Sequence, residues 1–190
     1  KEYTVSGKLM DKNTNTELLD SEGNVITGTT KFTPTTASGT VDVEFTINST
    51  ILTGKILVAF ETLTYNGIEI SIHADINDVD QAVNIPLISS CFTDKISSSK
   101  NVSFGEEISL IDKVEYQNLI PGMQYKLVGS IYSYNSNGII KESIESVIFC
   151  PDKSNGSIEM PFILDTTEYI GDTLVAFEEL YLKDILIASH

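Results

Sequence analysis

The chain carries two histidines, His73 and His190, and each follows a glutamate that closes an apolar run, Val58-Ala59-Phe60-Glu61 and Val175-Ala176-Phe177-Glu178. An imidazole titrates near neutrality, so a histidine beside a carboxylate could serve a hydrolase or a transferase. The plainer role for the same residues is a hydrogen-bonded histidine on a strand and a glutamate marking where a strand leaves the core. Asp75, Asp78 and Asp80 stand at near-alternate positions and offer oxygen ligands of the kind that hold Ca2+, but the Gly and closing Glu of an EF-hand loop are missing. Cys91 and Cys150 have no metal-ligand spacing; the alternatives are two isolated, partly buried thiols or a disulfide within or between chains.

The elements that must position these residues read as strands almost throughout. Val41 to Ile47 alternates apolar and polar residues with period 2, as does Ser157 to Ile163, where Pro161 calls for an edge position or a bulge. Turn chemistry separates such runs at Ser21-Glu22-Gly23-Asn24, Tyr65-Asn66-Gly67, Asn135-Ser136-Asn137-Gly138 and Lys153-Ser154-Asn155-Gly156. No segment shows a 3.6-residue period with caps. Many short strands with frequent turns predict a sandwich or a small barrel.

Composition narrows the function classes. Hydrophobic residues make up 41% of the 190, enough for packed cores. The net charge of −15 excludes the basic footprint that nucleic acid or an anionic membrane requires. All twelve basic residues are lysine, and with abundant Ile and Asn this points to an AT-rich bacterial genome. No apolar run reaches transmembrane length, and there is no initiator Met, signal peptide or sorting signal, so the chain reads as a window of a longer protein. Asn48-Ser49-Thr50, Asn101-Val102-Ser103 and Asn155-Gly156-Ser157 fit the N-glycosylation pattern, which is common by chance and mute in a bacterium.

Repetition is the strongest internal signal. Phe32-Thr33-Pro34 returns as Phe149-Cys150-Pro151, Gly39 to Phe45 as Gly156 to Phe162, Gly54 to Glu61 as Gly171 to Glu178, and His73 as His190, each 117 positions later. Glu2 to Gly7 resembles Gln124 to Gly129 at an offset of 122, so the five-residue difference falls in the intervening hairpins. The second copy opens with roughly Pro86 to Pro121, which the first lacks; the first closes with Ala74 to Asn84, which the second lacks. The expected domains are therefore residues 1–84, without an opening strand, and 85–190, without a closing strand. Each leaves a sheet edge for a flanking repeat or a neighbouring chain to cover.

At these residues the chain resembles a family. Val58-Ala59-Phe60-Glu61 and its second copy are similar to the namesake motif of the VaFE repeats in surface-anchored proteins of Gram-positive bacteria. His73 to Gln81 fits that family's H-x-D-x-x-D-x-x-Q signature, and Asp112 to Gly122 fits its D-x-V-x-Y-x-N-L-x-P-G segment. The resemblance implies an all-β fold of tandem immunoglobulin-like β-sandwich domains, often crosslinked by an intramolecular ester between a Thr near the first strand and a Gln in the last. It makes Gln81 the acyl donor of the first unit, assisted by His73 and Glu61. In the second unit His190 and Glu178 match the assisting groups, and Asp112 matches the helper aspartate. Where the family has P-x-I-x-T-T-A-x-D, this chain has Pro86-Leu87-Ile88-Ser89-Ser90-Cys91-Phe92-Thr93-Asp94. Ser90 takes the place of the first Thr and Cys91 that of the second, while Thr93 is the nearest actual Thr; an uncrosslinked second unit is the remaining alternative.

The implied chemistry is physically reasonable. A primary amide is a poor acyl donor, so a hydroxyl attacks it only when packed strands hold the two at near-attack distance. A histidine can take the hydroxyl proton and return it to departing ammonia, and a carboxyl kept protonated by burial can donate to the amide oxygen. Such a reaction turns over once, so the protein is not classed as an enzyme. The expected function is a structural repeat of an extracellular, cell-surface or cell-wall-anchored stalk or pilus-like fibre. Its partners would be copies of itself or flanking repeats, with any host or matrix ligand met through other domains. The alternatives are an adhesive ligand-binding module and a hydrolase using His73. No cofactor, metal, nucleic acid or membrane insertion is expected.

Overall fold

The computed structural model describes residues 1–48, 51–102, 104–135 and 138–190. Two of the three glycosylation-pattern triplets and the Asn135–Gly138 turn fall partly outside the described residues. The chain divides into two compact units, Lys1–Ile85 and Pro86–His190.

The first unit is built on one antiparallel sheet. Its strands are β1 (Tyr3–Asp11), β2 (Thr16–Glu17), β3 (Thr27–Phe32), β4 (Ile56–Tyr65), β5 (Ile68–His73) and β6 (Ala82–Asn84). β1 and β4 form the centre; β2 and β3 share the free side of β1, and β5 and β6 share that of β4. Asn66 and Gly67, with φ of 50° and 75°, close the two-residue hairpin between β4 and β5, a conformation the Asn-Gly pair adopts at little cost. Leu9, Leu18, Ile26 and Leu57 form the small core, with Phe45 and Ile47 packed on it.

The second unit contains two sheets. One holds β9 (Tyr125–Asn135), β10 (Gly138–Phe149), β12 (Thr173–Leu182) and β13 (Ile185–Ser189) in the order β10-β9-β12-β13. The other holds β7 (Leu87–Asp94), β8 (Ile108–Gln117) and β11 (Gly156–Leu164) in the order β11-β8-β7. Alternation along β8 sends Leu110, Asp112, Val114 and Tyr116 inward, and along β11 it sends Met160, Phe162 and Leu164 inward. These meet Leu127, Ile131 and Leu180 of the facing sheet in one continuous core. Pro161 lies on β11, an edge strand, where its missing N–H removes no ladder bond on the open side. The fold is all-β and sandwich-like, and among the described residues no α-helix occurs.

One expected strand is absent as such. Val41 to Ile47 keeps its alternation, with Val41, Val43, Phe45 and Ile47 turned inward, and Thr30 Oγ1 donates to the Asp42 carbonyl at 2.7 Å. It joins no ladder, whereas its repeat counterpart is β11, paired along its whole length with β8. Residues 1–85 include no counterpart of β8, so the segment has the side-chain pattern of a strand and no backbone partner.

A glycine keeps the two layers close in both units. A Cβ at Gly7 would press on Phe45 and Val43, and one at Gly129 would collide with Met160 and Phe162, the repeat counterparts of the same two residues. Gly129→Ala is therefore expected to lower the unfolding free energy of the second unit by about 1–3 kcal/mol, measured by urea denaturation followed by circular dichroism. A loss within error would show that Met160 yields freely.

Candidate functional site

In the second unit the repeat motifs converge from three strands and two sheets. β7 contributes Ser90, β8 contributes Asp112, and β12 contributes Glu178; His190 follows β13. The backbones of Glu178 and His190 exchange two hydrogen bonds of 3.1 and 2.9 Å, which fixes the imidazole beside the glutamate. Opposite Glu178 on β9 stands Gly129, whose lack of a side chain leaves room for the carboxyl.

Strand parity sets which side chains of β7 face the cluster. Ile88, Ser90 and Phe92 share the inward face of β7, and Ser90 pairs with Val114 while Phe92 pairs with Asp112. Ser90 Oγ thus lies 3.3 Å from His190 Nδ1, across 100 positions of sequence. The same Nδ1 lies 3.2 Å from Glu178 Oε2. Cys91, one residue along, is exposed on the other face, and Thr93 shares that parity. Both cysteines are free and exposed, which corrects the partly buried thiols expected from the sequence.

Asp112 and Glu178 are fully buried. Their hydrogen-bonding neighbours are each other and the Ser90 hydroxyl. Burial, reinforced by the neighbouring Glu178 carboxyl, pushes Asp112 from its ordinary 3.8 up to about 7. Burial also raises Glu178. The Ser90 hydroxyl beside both works in the opposite direction. Two carboxyls so placed retain a proton, and a protonated carboxyl can donate to an amide oxygen.

In the first unit Glu61 and His73 stand directly opposite on β4 and β5. His73 Nε2 reaches Asp78 Oδ2 at 2.8 Å. This pairing gives Asp78 a role that the sequence reading, which weighed it as an oxygen ligand, did not assign; its signal was the second aspartate of the His73–Gln81 motif. Asp75 and Asp78 also cap turns, accepting from the backbone N–H of Asn77 and Asp80 at 2.9 and 2.8 Å. Ala59 N donates to the Gln81 carbonyl at 3.1 Å just before β6. Ladder parity therefore turns the Gln81 side chain to the same face as Glu61.

Beside the second site lies a cavity of about 760 Å³, bordered by Ser90, Phe92, Phe104, Leu174, Val175 and Ala176. Ser90 is the point where the cavity meets the Ser90–His190–Glu178 cluster.

A family model for the T-Q ester bond containing domain matches residues 1–85 and again residues 86–190. The chain belongs to this family. The family is described by the T-Q ester bond its domains contain. Among solved structures, a bacterial adhesin from Mobiluncus mulieris containing intramolecular disulfide, isopeptide and ester bond cross-links is 12% identical, with a TM-score of 0.42; the match covers 55% of this chain and 52% of that one. A putative β-galactosidase from Bacteroides fragilis is 11% identical with a TM-score of 0.41, covering all of this chain and 29% of that one. At these scores neither likeness bears on activity. No curated protein matches the chain.

The raised Asp112 carries a pH dependence. The folded unit holds this proton up to about pH 7, whereas the unfolded chain releases it near 3.8, so folding is progressively weakened as pH rises between those values. The melting temperature of the wild type should fall more between pH 4.5 and 8 than that of Asp112→Asn, which removes the titration but leaves the general repulsion of an acidic chain. Parallel pH profiles would show Asp112 to be ionised throughout.

Proposed function

We propose that the chain is a structural repeat of an extracellular bacterial surface stalk, and that its domains are locked by self-made esters rather than built to turn over a substrate. The observation that carries this is Ser90 Oγ at 3.3 Å from His190 Nδ1, above a buried carboxyl pair. In the tautomer protonated on Nε2, Nδ1 accepts the Ser90 proton as Oγ attacks the side-chain carbonyl carbon of a glutamine. The Oγ–C bond forms, the C–N bond breaks, and the proton leaves with ammonia. Protonated Asp112 or Glu178 would donate to the amide oxygen as charge develops on it.

Ser90 belongs to one sheet and His190 to the other, so an ester to a strand laid along β12 would tie the two layers together covalently. Mechanical strength and resistance to proteolysis are what a stalk needs from such a bond, and the single turnover leaves no released product. Gln81 with His73, Glu61 and Asp78 would serve the first domain in the same way, its nucleophile coming from another segment. The membership in an ester-bond family supports a cell-surface, adhesin-type setting; copies of itself or flanking repeats would be the neighbours.

The test is the intact mass of the chain expressed within its neighbouring repeats. Each crosslinked domain should weigh one ammonia less than its sequence, hydroxylamine should cleave the link, and Ser90→Ala and Gln81→Ala should each restore one ammonia. A mass equal to the sequence would overturn the crosslink and leave only the repeat fold.

A further inference from the structure

Asn-Gly occurs three times in the chain, as Asn66-Gly67, Asn137-Gly138 and Asn155-Gly156. The pair is chemically labile, because the asparagine carboxamide lies beside the backbone nitrogen of a residue with no side chain to shield it. Asn137 lies outside the described residues, and packing sets the other two pairs apart.

Asn155 is held in place. Its Oδ1 accepts from the Asn118 backbone N–H at 3.0 Å. Gly156 opens β11 opposite Tyr116, whose ring and hydroxyl stand where a Cβ would be. Asn66 and Gly67 are instead exposed at the tip of the β4–β5 hairpin. The ladder closes with Tyr65 opposite Ile68, so the Gly67 nitrogen lies inside the turn and outside the ladder. A Cβ at Gly67 would meet nothing, and among the described residues no hydrogen bond anchors the Asn66 carboxamide. The counterpart turn, Lys183-Asp184, has φ of 49° and 64° and is equally exposed in the unit that has both sheets. The open tip is thus a property of the hairpin.

We propose that Asn66 is a self-modification site, at which the first unit rearranges with no reagent but water. The Gly67 nitrogen attacks Asn66 Cγ and gives up its proton; the N–Cγ bond forms, the Cγ–NH2 bond breaks, and ammonia leaves a five-membered succinimide behind. Water then opens the ring at one carbonyl or the other, giving aspartate or isoaspartate. The two products differ in their effect on the fold. Aspartate keeps the turn, as Asp184 already adopts positive φ in the equivalent hairpin. Isoaspartate routes the main chain through the side-chain carbon and lengthens a two-residue turn, and that turn sets the register in which Glu61 faces His73. The succinimide weighs one ammonia less than the sequence, as an ester does. Hydroxylamine acts on both, but at the succinimide it cuts the main chain after Asn66.

The experiment incubates the 190-residue protein and its Asn66→Gly variant in mildly alkaline buffer and maps their tryptic peptides. Asn66→Gly removes the amide and suits the same turn. In the wild type, the peptide of residues 56–95 should become heavier by the exchange of NH2 for OH at residue 66 and resolve into two isomers. One of these should accept a methyl group from an isoaspartyl methyltransferase. Hydroxylamine present during the incubation should release fragments 1–66 and 67–190. The peptide of residues 154–183, which carries Asn155, should change about tenfold more slowly, the effect of first releasing one hydrogen bond. The variant should show neither the isomers nor the cut. Equal rates in the two peptides would overturn the selection by the hairpin tip, and an unchanged Asn66 would overturn the site itself.

Discussion

Removing a carboxyl group from water is costly unless it is neutralised or given partners, and the second unit buries two in one layer, Asp112 and Glu178. The arrangement around them follows from that constraint. Glu178 fits because Gly129 faces it across the ladder, and Asp112 fits because β8 sends its even-numbered side chains inward. The retained proton, which the two carboxyls can share with each other and the Ser90 hydroxyl, lowers the cost.

Comparison of the two units isolates the contribution of one layer. Glu61 and Glu178 occupy equivalent positions, yet Glu61 is only half-buried and Glu178 is inaccessible. Ile70 is exposed on β5, whereas its counterpart Ile187 packs against the core. The difference is the β7–β8 hairpin, which the second unit has and residues 1–85 do not. The same local sequence therefore gives a half-buried glutamate in one setting and a fully buried one in the other. β4 pairs with β6 in the first unit, whereas among the described residues Thr173–Ala176 of β12 pair with β9 alone.

Much of this was legible beforehand. Period-2 alternation marked β11 and the turn residues marked the β4–β5 hairpin, because both signals are local. The all-β class followed, and the repeated Val-Ala-Phe-Glu and His motifs led to the family that the domain match supports. Val41 to Ile47 shows the limit of that reasoning. Its alternation was real and its side chains do face the core, but a ladder needs a second backbone, and no pattern within one segment reveals whether a partner is present.

The sequence by itself determined which residues alternate, where the chain turns and which motifs recur at a fixed offset, since these depend on neighbours a few positions away. Only the tertiary structure put Ser90 on the inward face of β7 and Cys91 and Thr93 on the other, because their facing depends on the register of β7 against β8. The meeting of Ser90 with His190 spans 100 positions, so no local rule could place it. Burial of Asp112 and Glu178, and hence the proton they keep, likewise came from two sheets closing over them. Distance and burial, which bring Ser90 within reach of His190 and take the two carboxyls out of water, are properties of packing between layers.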